Sequence, residues 1–442
     1  MNVKATATGA GHLLVKRFTG QFWLRRHWLK KTQWLSKGEL DALQLRLFKR
    51  FVRHCYENVP YYRRLMDRRR FGPDDVRSLR DIRFFPILKK KDVIANINEF
   101  VSTKHSKWLM NTSRTSGTTG MPMDIKRDIR SIGDNHAFLL RQKQWGGIAL
   151  TDRCAYLTWR SVAGINDNNG KLYAYDPFMK ELILSTYHLS RQNAVKYARA
   201  MYEYDVKAID GYPSAVHLLA KTCLEAGMYM NLRACFTTSE TLTDPMRETI
   251  GRAFNCRVYD YYGNAERTGI IHTCDYGSRH IVPEYGITEL IPIDESSPQR
   301  CRVIGTGFWN RAMPFIRYDM DDIVIKSDDK CPCGRAFEVV KSIEGRCGDI
   351  IRTPSGREFG PTALTHLIKV FNHVVESQAI QETPQHVTIE YVPDSEFTQK
   401  DYSDLSSAIH RRFPDELNVD LREVSAVSRT SSGKVRRIVS QI

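Results

Sequence analysis

A run of hydroxyl-bearing residues and glycines at positions 112–122 reads T-S-R-T-S-G-T-T-G-M-P. Glycines let a backbone turn sharply, so this run can surround a small anion such as a polyphosphate with N–H and O–H donors. It is not a Walker loop, because the order G-x-x-x-x-G-K-[ST] is missing. On its own, such a run is most often a mobile surface loop. The phosphate-binding interpretation therefore depends on what the rest of the chain supplies.

A second segment, at positions 259–266, reads Y-D-Y-Y-G-N-A-E. Aromatic residues that end a strand and run into Gly263 predict a flat wall at the carboxyl end of a sheet, where open α/β folds bind their ligands. Glu266 follows this wall and offers the hard oxygen ligand that Mg²⁺ on a nucleotide prefers. The alternative is a tyrosine-rich strand edge followed by a solvated glutamate.

Two further segments combine charge with a turn. The run R-Y-D-M-D-D ends at Asp322, whose carboxylate could accept both hydroxyls of a ribose or simply pair with a nearby arginine. The run S-R-T-S-S-G-K-V-R-R, near the C-terminus, carries Lys434 on a Ser/Gly loop. A mobile loop of this kind can deliver an ammonium group onto a developing negative charge, although a disordered basic tail has the same composition.

Cysteines and histidines suggest a metal centre. Cys331 and Cys333 have the short C-x-C spacing of a metal half-site. Upstream, beside the nucleotide motif, lie Cys274 and His280. Four such ligands in two pairs suit a closed tetrahedral Zn²⁺ site. His272 is an alternative fourth ligand, and ordinary buried thiols are the alternative to a metal.

Length, hydropathy and cysteine usage predict a soluble globular protein. The 442 residues exceed one ordinary core and predict two or three domains. No uninterrupted apolar run approaches the length of a membrane span, and the first residues lack a clean apolar signal core. The ten cysteines are spread irregularly, which favours a reducing compartment and predicts a cytoplasmic location.

The net charge of +16 is concentrated near the N-terminus, where residues 1–70 hold 17 Lys and Arg against 4 Asp and Glu. Tryptophans and phenylalanines are interleaved with these cations. One interpretation is a helical layer that packs its aromatic rings on the main body and turns its cations to solvent. The other is peripheral contact with an anionic inner-membrane surface, where each nearby cation contributes about 1 kcal/mol. No recognition motif accompanies the charge, so no nucleic-acid partner is predicted.

The periodicity of apolar residues predicts the elements that carry these segments. From residue 37 to about residue 70 it predicts a helix that Pro60 stops. From residue 131 to residue 261, strand and helix patterns alternate, which argues for a largely parallel α/β sheet. Past Ile281 the strands shorten and predict a β-rich subdomain. A junction at positions 345–349 precedes a small α+β region.

The chemical segments together resemble the AMP-forming acyl- and aryl-activating superfamily of adenylate-forming enzymes. T-S-G-T-T-G looks like its phosphate loop, Y-G-N-A-E its Y-G-x-x-E motif, and R-Y-D-M-D-D its R-Y-x-x-G-D motif. G-R-C-G-D matches its hinge and S-G-K-V-R-R its catalytic-lysine motif, all in family order. The segments V-P-Y-Y-R, N-x-A-M-P-x-I-R-Y and C-P-C-G-R point to the phenylacetate–CoA ligase branch and to related capsule-locus, CapK-like proteins.

The resemblance implies a fold, a domain organisation and a reaction. The fold class is α/β, in which a large adenylate-forming domain with parallel sheets and a small β-rich subdomain precedes a small mobile α+β domain. Residues 1–80 would be a basic helical extension of the large domain, 81–348 its main part, and 349–442 the small domain. A carboxylate would attack the α-phosphate of ATP to give an acyl-adenylate and pyrophosphate. A thiol such as CoA, or an amine, would then take the acyl group.

By matched position, the resemblance also implies roles for individual residues. The β- and γ-phosphates would be held by Thr115, Ser116, Gly117, Thr118, Thr119 and Gly120, and the adenine site would be lined by Ser239, Glu240, Tyr261, Tyr262 and Gly263. Asp322 would accept the ribose hydroxyls and Glu266 would bind Mg²⁺. Arg346 would contact the nucleotide, Asp349 would be the hinge, and Lys434 would stabilise charge in the adenylation transition state. The branch carries a comparable structural zinc, which favours the metal interpretation of the cysteines.

Three departures from the family pattern and several alternatives stay open. Met123 stands where many members have lysine, Asp321 replaces the usual glycine before Asp322, and the basic N-terminus is unusually long. One alternative function is AMP transfer to a non-carboxylate acceptor. Another is a non-catalytic, membrane-associated partner in polysaccharide assembly. The acid, the acceptor and the oligomeric state are not determined by these residues.

Overall fold

The computed structural model describes residues 20–105, 110–114, 123–158, 162, 172–186, 188–295, 297–346, 351–354, 358–359, 373–413, 417–429 and 435–442. The α-helices of this part are α1 (Gly20–Thr32), α2 (Lys37–Asn58), α3 (Pro60–Arg69), α4 (Lys90–Ala95), α5 (Ile129–Trp145), α6 (Arg191–Glu203), α7 (Pro213–Glu225), α8 (Asp244–Phe254) and α9 (Gln399–Arg412). The strands are β1 (Met110–Arg114), β2 (Asp124–Asp128), β3 (Cys154–Leu157), β4 (Tyr173–Asp176), β5 (Glu181–Leu184), β6 (Ala208–Gly211), β7 (Ala234–Thr238), β8 (Arg257–Gly263), β9 (Ile270–Thr273), β10 (Arg279–Ile281), β11 (Gly286–Pro292), β12 (Arg300–Gly307), β13 (Tyr318–Lys326), β14 (Val339–Arg346), β15 (Ile351–Arg352), β16 (Glu358–Phe359), β17 (Val374–Thr383), β18 (His386–Pro393), β19 (Asn418–Glu423) and β20 (Ile438–Ser440). Strands β5, β6 and β7 are each followed by a helix, as the sequence predicts.

The helical region before residue 70 consists of two helices. Helix α2 begins with a capping box, in which Ser36 Oγ accepts from the Glu39 N–H and the Glu39 carboxylate accepts from the Ser36 N–H. It ends at Asn58, and Pro60 is the first residue of α3. Proline is tolerated at this position because the first N–H groups of a helix have no hydrogen-bond partner within it. The predicted stop at Pro60 is confirmed, and the same proline also begins the next helix.

The described residues form two compact units. The first comprises those within Met1–Cys154, Ala174–Leu182 and Tyr259–Ser342, and the second those within Ala155–Tyr173, Ile183–Val258 and Ile343–Ile442. The domain boundaries that the sequence predicts after residues 80 and 348 stay predictions.

Strands β8 to β14 provide the sheet of the first unit, in the order β11-β12-β13-β14-β10-β9-β8. Strand β8 pairs with β9, β9 with β10, β10 with β14, β11 with β12, and β12 with β13, all antiparallel. Strands β11 to β14, which follow Ile281, form the β-rich region that the sequence predicts. Strands β1 and β2 form a separate antiparallel hairpin, whose last pair, Arg114 with Asp124, flanks the predicted phosphate loop.

Helix α1 packs on α5 in the first unit through buried polar contacts. Arg25 Nε donates to Asp134 Oδ1 at 2.9 Å. Thr32 Oγ1 donates to Glu284 Oε1 at 3.0 Å, and Arg141 donates to the same oxygen at 2.7 Å. Thr32, Glu284 and Arg141 are all buried. The helical layer expected at the basic N-terminus is therefore present from residue 20 onward.

The second unit combines a parallel strand pair with a four-stranded sheet. Strands β6 and β7 are parallel, and α7 connects them. Near the C-terminus the strand order is β19-β18-β17-β20, in which β17 and β18 are antiparallel and the outer pairs are parallel. Helix α9 contributes Leu405 to a core that includes Ile389 and Ile438. The predicted α/β class, with an α+β C-terminal region, is confirmed.

Candidate nucleotide site and metal centre

Two hydrogen bonds join the predicted adenine motif to the predicted ribose motif in the first unit. Tyr262 Oη, near the end of β8, donates to Asp322 Oδ2 on β13 at 2.7 Å. The second bond runs from the ribose motif to the adenine motif: Tyr318 Oη, at the start of β13, donates to Glu266 Oε1 at 3.0 Å. We call this pair of bonds the tyrosine–carboxylate crosslink. Each acidic side chain is oriented by a tyrosine from the other motif, and Glu266 is buried.

Tyr261 contacts a different part of the first unit. Successive side chains of a strand point to opposite faces, so Tyr261 and Tyr262 diverge. The Tyr261 ring lies 5.3 Å from the ring of His272, centroid to centroid. A Cβ at Gly263 would lie 2.7 Å from Tyr261 Oη, so glycine is required for the ring to fold over the strand end. The adenine-lining role of both tyrosines stays a prediction.

Asp321 adopts a left-handed backbone conformation, with a φ of +59°. The superfamily motif has glycine here, the residue for which this conformation is least strained. The Asp321 N–H donates to Asp319 Oδ1 at 3.0 Å. Arg302 lies 3.1 Å from that oxygen and 3.8 Å from Asp321 Oδ1. The chain thus keeps a bend immediately before Asp322, and a guanidinium faces the added carboxylate.

Arg127 connects β2, the strand after the predicted phosphate loop, to the segment that holds Glu266. It lies on β2, and its guanidinium donates to the carbonyl of Ala265. Burial, and then the neighbouring Arg267, lowers the pKa of Arg127 to about 10, which still leaves it cationic at neutral pH. Sequence reasoning missed Arg127 and Tyr318. Tyr318 is the tyrosine of the R-Y-D-M-D-D motif, which could have pointed to it, whereas the only signal for Arg127 was its proximity to the predicted phosphate loop.

Several predicted site residues lie outside the part of the chain that the structure describes. These are phosphate-loop residues 115–120, the hinge residue Asp349 and Lys434. Arg346 is the last residue of β14, and its backbone alone is described. The roles of all these residues stay predictions.

In the second unit, Glu240 bridges the start of α7 and the C-terminal segment. It follows Ser239, whose φ of +71° turns the chain sharply after β7. Its carboxylate accepts from the Ser214 N–H at 3.0 Å and from the Val435 N–H at 2.9 Å. Val435 directly follows Lys434. The adenine-lining role of Ser239 and Glu240 stays a prediction.

The predicted metal ligands of the first unit lie together. One ligand atom from each of Cys274, His280, Cys331 and Cys333 lies within 4.8 Å of the other three. The Sγ atoms of Cys274 and Cys331 are 3.6 Å apart, and Cys333 Sγ lies 3.4 Å from His280 Nε2. Tetrahedral zinc with Zn–S bonds of about 2.3 Å holds two thiolates about 3.8 Å apart. The donor set and its spacing therefore fit Zn²⁺.

Tight turns wrap the thiols of this cluster. The Tyr276 N–H donates to Cys274 Sγ at 3.3 Å. Gly277 follows with a φ of +86°, and Gly334, after Cys333, has a φ of +80°. Glycine adopts this conformation without steric strain, so the backbone can curl around each sulfur atom.

Of the two candidate histidines, His280 belongs to the cluster. His272 and His280 are cross-strand partners on β9 and β10. The His272 ring instead packs edge-on against Trp145, with ring centroids 5.8 Å apart. Burial lowers the pKa of His280 to about 4, so its imidazole is neutral, the form that binds metals.

Comparisons with known proteins agree with this architecture. A family model described as the CapK C-terminal domain matches residues 351–441. Protein CapK of Staphylococcus aureus is 23% identical, over 94% of this chain and 93% of that protein. Phenylacetate-coenzyme A ligase of Thermus thermophilus is 23% identical, over 92% of this chain and 97% of that enzyme. The crystal structure of 2-hydroxyisobutyryl-CoA ligase in the postadenylation state, in complex with R3-HIB-AMP, matches with a TM-score of 0.72 and 16% identity, over 92% of this chain and 91% of that chain.

In sequence the chain is similar to phenylacetate-coenzyme A ligases, and its fold matches that of 2-hydroxyisobutyryl-CoA ligase, as expected from its resemblance to the adenylate-forming superfamily. Within that superfamily, its similarity is to the branch of CapK and the phenylacetate–CoA ligases.

Proposed function

We propose that this chain is an ATP-dependent, AMP-forming ligase that activates a carboxylic acid and passes the acyl group to CoA. The observation that carries the proposal is the tyrosine–carboxylate crosslink, because it orients the acidic residues of the two nucleotide motifs. The similarity to phenylacetate-coenzyme A ligases supports the same reaction class.

In the first step, an oxygen of the acid attacks the α-phosphorus of ATP, and the bond to the bridging oxygen of the β-phosphate breaks to release pyrophosphate. Asp322 would accept the ribose hydroxyls, and residues 115–120 would donate hydrogen bonds to the leaving phosphates. Glu266, a buried oxygen donor, would hold the Mg²⁺ ion that neutralises phosphate charge when bound. Lys434 would stabilise the charge shared by the carboxylate and the α-phosphate.

In the second step, the sulfur of CoA attacks the acyl carbon and loses its proton, and AMP leaves with the electrons of the broken acyl–oxygen bond. An amine acceptor would react in the same way through nitrogen. A role of the product in polysaccharide biosynthesis or modification is part of the proposal through the similarity to CapK.

The test is pyrophosphate release from Mg–ATP over a panel of aryl, fatty, amino and sugar acids, each with and without CoA. Release with one acid class, and formation of its thioester, is the expected result. AMP transfer to another acceptor without acid would favour the alternative activity. Inactivity with every substrate would favour a non-catalytic partner in polysaccharide assembly. A Lys434→Ala variant with full ATP–pyrophosphate exchange would remove the role assigned to that lysine.

We also infer that the cluster of Cys274, His280, Cys331 and Cys333 binds a structural Zn²⁺ ion. The four ligand atoms lie within 4.8 Å of one another. A set of four protein ligands is typical of a structural rather than a catalytic zinc. The ion would tie the turn after β9 to the segment before β14.

We further infer that α1 contacts an anionic membrane surface, which would make the protein peripheral at the inner membrane. No described helix is long and apolar enough to cross a bilayer. Trp23 and Leu24 on α1 are 48% and 70% exposed, and Trp34, in the turn after this helix, is 57% exposed. Lys30 and Lys31 are exposed on the same helix. Exposed tryptophan beside lysine suits the interface of a negatively charged bilayer.

The membrane proposal is tested by flotation with phosphatidylglycerol vesicles and with neutral phosphatidylcholine vesicles. Lys30→Glu/Lys31→Glu should lose binding to the anionic vesicles. Lys91→Glu/Lys400→Glu, which changes the net charge equally at exposed sites elsewhere, should keep it. Equal binding of both double variants would contradict the proposal.

A further inference from the structure

We propose that Arg335 is a positioning residue for the metal centre, which joins its two half-sites and anchors them to the N-terminal helices. One half-site is Cys274 with His280, and the other is Cys331 with Cys333. The inference rests on the Zn²⁺ site proposed above. All the contacts that it uses lie in the first unit.

The first contact of Arg335 joins the two half-sites directly. Arg335 follows Cys333 by two residues, and Asp275 follows Cys274. Arg335 Nη1 donates to Asp275 Oδ1 at 3.1 Å. Cys274 and Cys331 are 57 residues apart in the chain, so nothing local in the sequence keeps the half-sites together. The arginine–aspartate pair does so at a distance of one or two residues from a ligand on each side.

The guanidinium of Arg335 is itself fixed by aromatic and polar contacts. It lies 4.1 Å from the ring centroid of Trp145 on α5 and 4.8 Å from that of Trp34. Its Nε donates to Gln33 Oε1 at 3.3 Å, and the same oxygen accepts from Trp145 Nε1 at 2.9 Å. The side chain is 5% exposed, so these cation–π contacts and hydrogen bonds are shielded from water.

These contacts also connect the metal centre to the N-terminal helices. Gln33 and Trp34 follow α1, and Gln33 Nε2 donates to the carbonyl of Lys30 in the last turn of that helix at 3.2 Å. Lys37 Nζ lies 3.4 Å from Glu338 Oε1, but both side chains are more than half exposed, so this pair contributes little. The buried guanidinium is therefore the main anchor between the two regions.

Such an arrangement should strengthen metal binding in two ways. Half-sites that are already held together lose less conformational freedom when an ion binds. In addition, Zn²⁺ with three thiolates and a neutral imidazole carries a net negative charge, which a nearby guanidinium offsets. Removal of a group that orients metal ligands typically weakens binding of the metal 10- to 100-fold.

The test is the Kd for Zn²⁺ of the full chain, measured by competition with a chromophoric chelator. Arg335→Met should raise the Kd about 10- to 100-fold. Arg335→Lys keeps the positive charge and an aliphatic stem but lacks the planar fork, so it should raise the Kd by a smaller factor. This milder variant keeps the test decisive where Arg335→Met does not fold. Arg46→Met, which removes an exposed guanidinium from α2, is the matched control and should bind as wild type does.

A double-mutant cycle with Asp275→Asn separates positioning from a general loss of structure. Asp275→Asn alone should raise the Kd for Zn²⁺. The combined Asp275→Asn/Arg335→Met variant should bind no more weakly than Arg335→Met alone, because both changes remove the same hydrogen bond. A general structural lesion would instead add to the effect of Asp275→Asn.

The outcomes separate the inference from the proposed zinc site. Unchanged Zn²⁺ affinity in both Arg335 variants would overturn the inference and leave the zinc site standing. Additive effects in the double variant would also overturn it, because the two side chains would then act separately. Wild-type protein that binds no Zn²⁺ would reject the zinc site and the inference together. The measurement uses no acid substrate, so it does not depend on the proposed ligase activity.

Discussion

The segment after β8 and strand β13 carry acidic side chains that tyrosine hydroxyls orient, whereas the end of β9, strand β10 and the segment before β14 bring thiols and an imidazole together. In the first region, Glu266 and Asp322 each accept a hydrogen bond from a tyrosine hydroxyl. In the second, Cys274 Sγ and Cys331 Sγ approach within 3.6 Å, which is compatible with the Zn²⁺ site that we propose. Because of this difference, substitutions in the two regions should change different measured properties of the protein. Loss of a carboxylate should reduce catalysis, and loss of a thiol should reduce stability.

The largest expected effect is that of Glu266→Gln. Removing the charge that would hold Mg²⁺ should lower the rate of acid-dependent pyrophosphate release by about 100-fold or more, the range found for lost electrostatic stabilisation of a transition state. The melting temperature should change little. Glu295→Gln, at an exposed position of the same unit, is the control and should keep full activity. A fully active Glu266→Gln would show that the carboxylate of this region is not needed for catalysis.

The cysteine region is tested by metal content and thermal unfolding. Wild-type protein purified without chelator should contain about one zinc per chain, and Cys331→Ser should lose it. Loss of a few kcal/mol should lower the melting temperature by about 5 °C or more. Cys256→Ser, in the second unit, should keep the zinc. Wild type without zinc would reject the metal proposal.

The crosslink itself should have an intermediate effect. Tyr262→Phe removes the donor to Asp322 and should raise the KM for ATP about tenfold, because a hydrogen bond to a charged group contributes about 1.5–3 kcal/mol. Tyr318→Phe removes the donor to Glu266 and should lower kcat by a similar factor. The exposed Tyr229→Phe serves as control. If steady-state kinetics of both crosslink variants match wild type, the tyrosines do not orient the carboxylates.

The smallest effect is expected from Asp321→Gly. Glycine should relieve about 1–2 kcal/mol of left-handed strain. It also removes the half-exposed pairing with Arg302, which contributes about 0–1 kcal/mol. The free energy of unfolding measured in urea should therefore rise slightly. A clear loss of stability would mean that the aspartate side chain, rather than the bend alone, is needed at this position.

Local sequence rules predicted much of the secondary structure. Pro60 marked a helix boundary because proline lacks the N–H that a helix interior needs. The alternation of strand and helix patterns before residue 261 is present in the structure, since periods of two and 3.6 residues report which faces are buried. The partners Tyr318 and Arg127 could not be predicted, because their roles depend on segments that lie far apart in the chain.

The sequence by itself indicated the superfamily that the chain resembles, the order of its motifs and the candidate metal ligands, since residue type and spacing carry that chemistry. Only the tertiary structure decided which tyrosine meets which carboxylate, that His280 rather than His272 joins the cysteines, and that Glu240 reaches Val435. The physical reason is that a hydrogen bond or a ligand set requires atoms within a few ångströms. Strand register and helix placement, which arise from packing of the whole chain, set those distances.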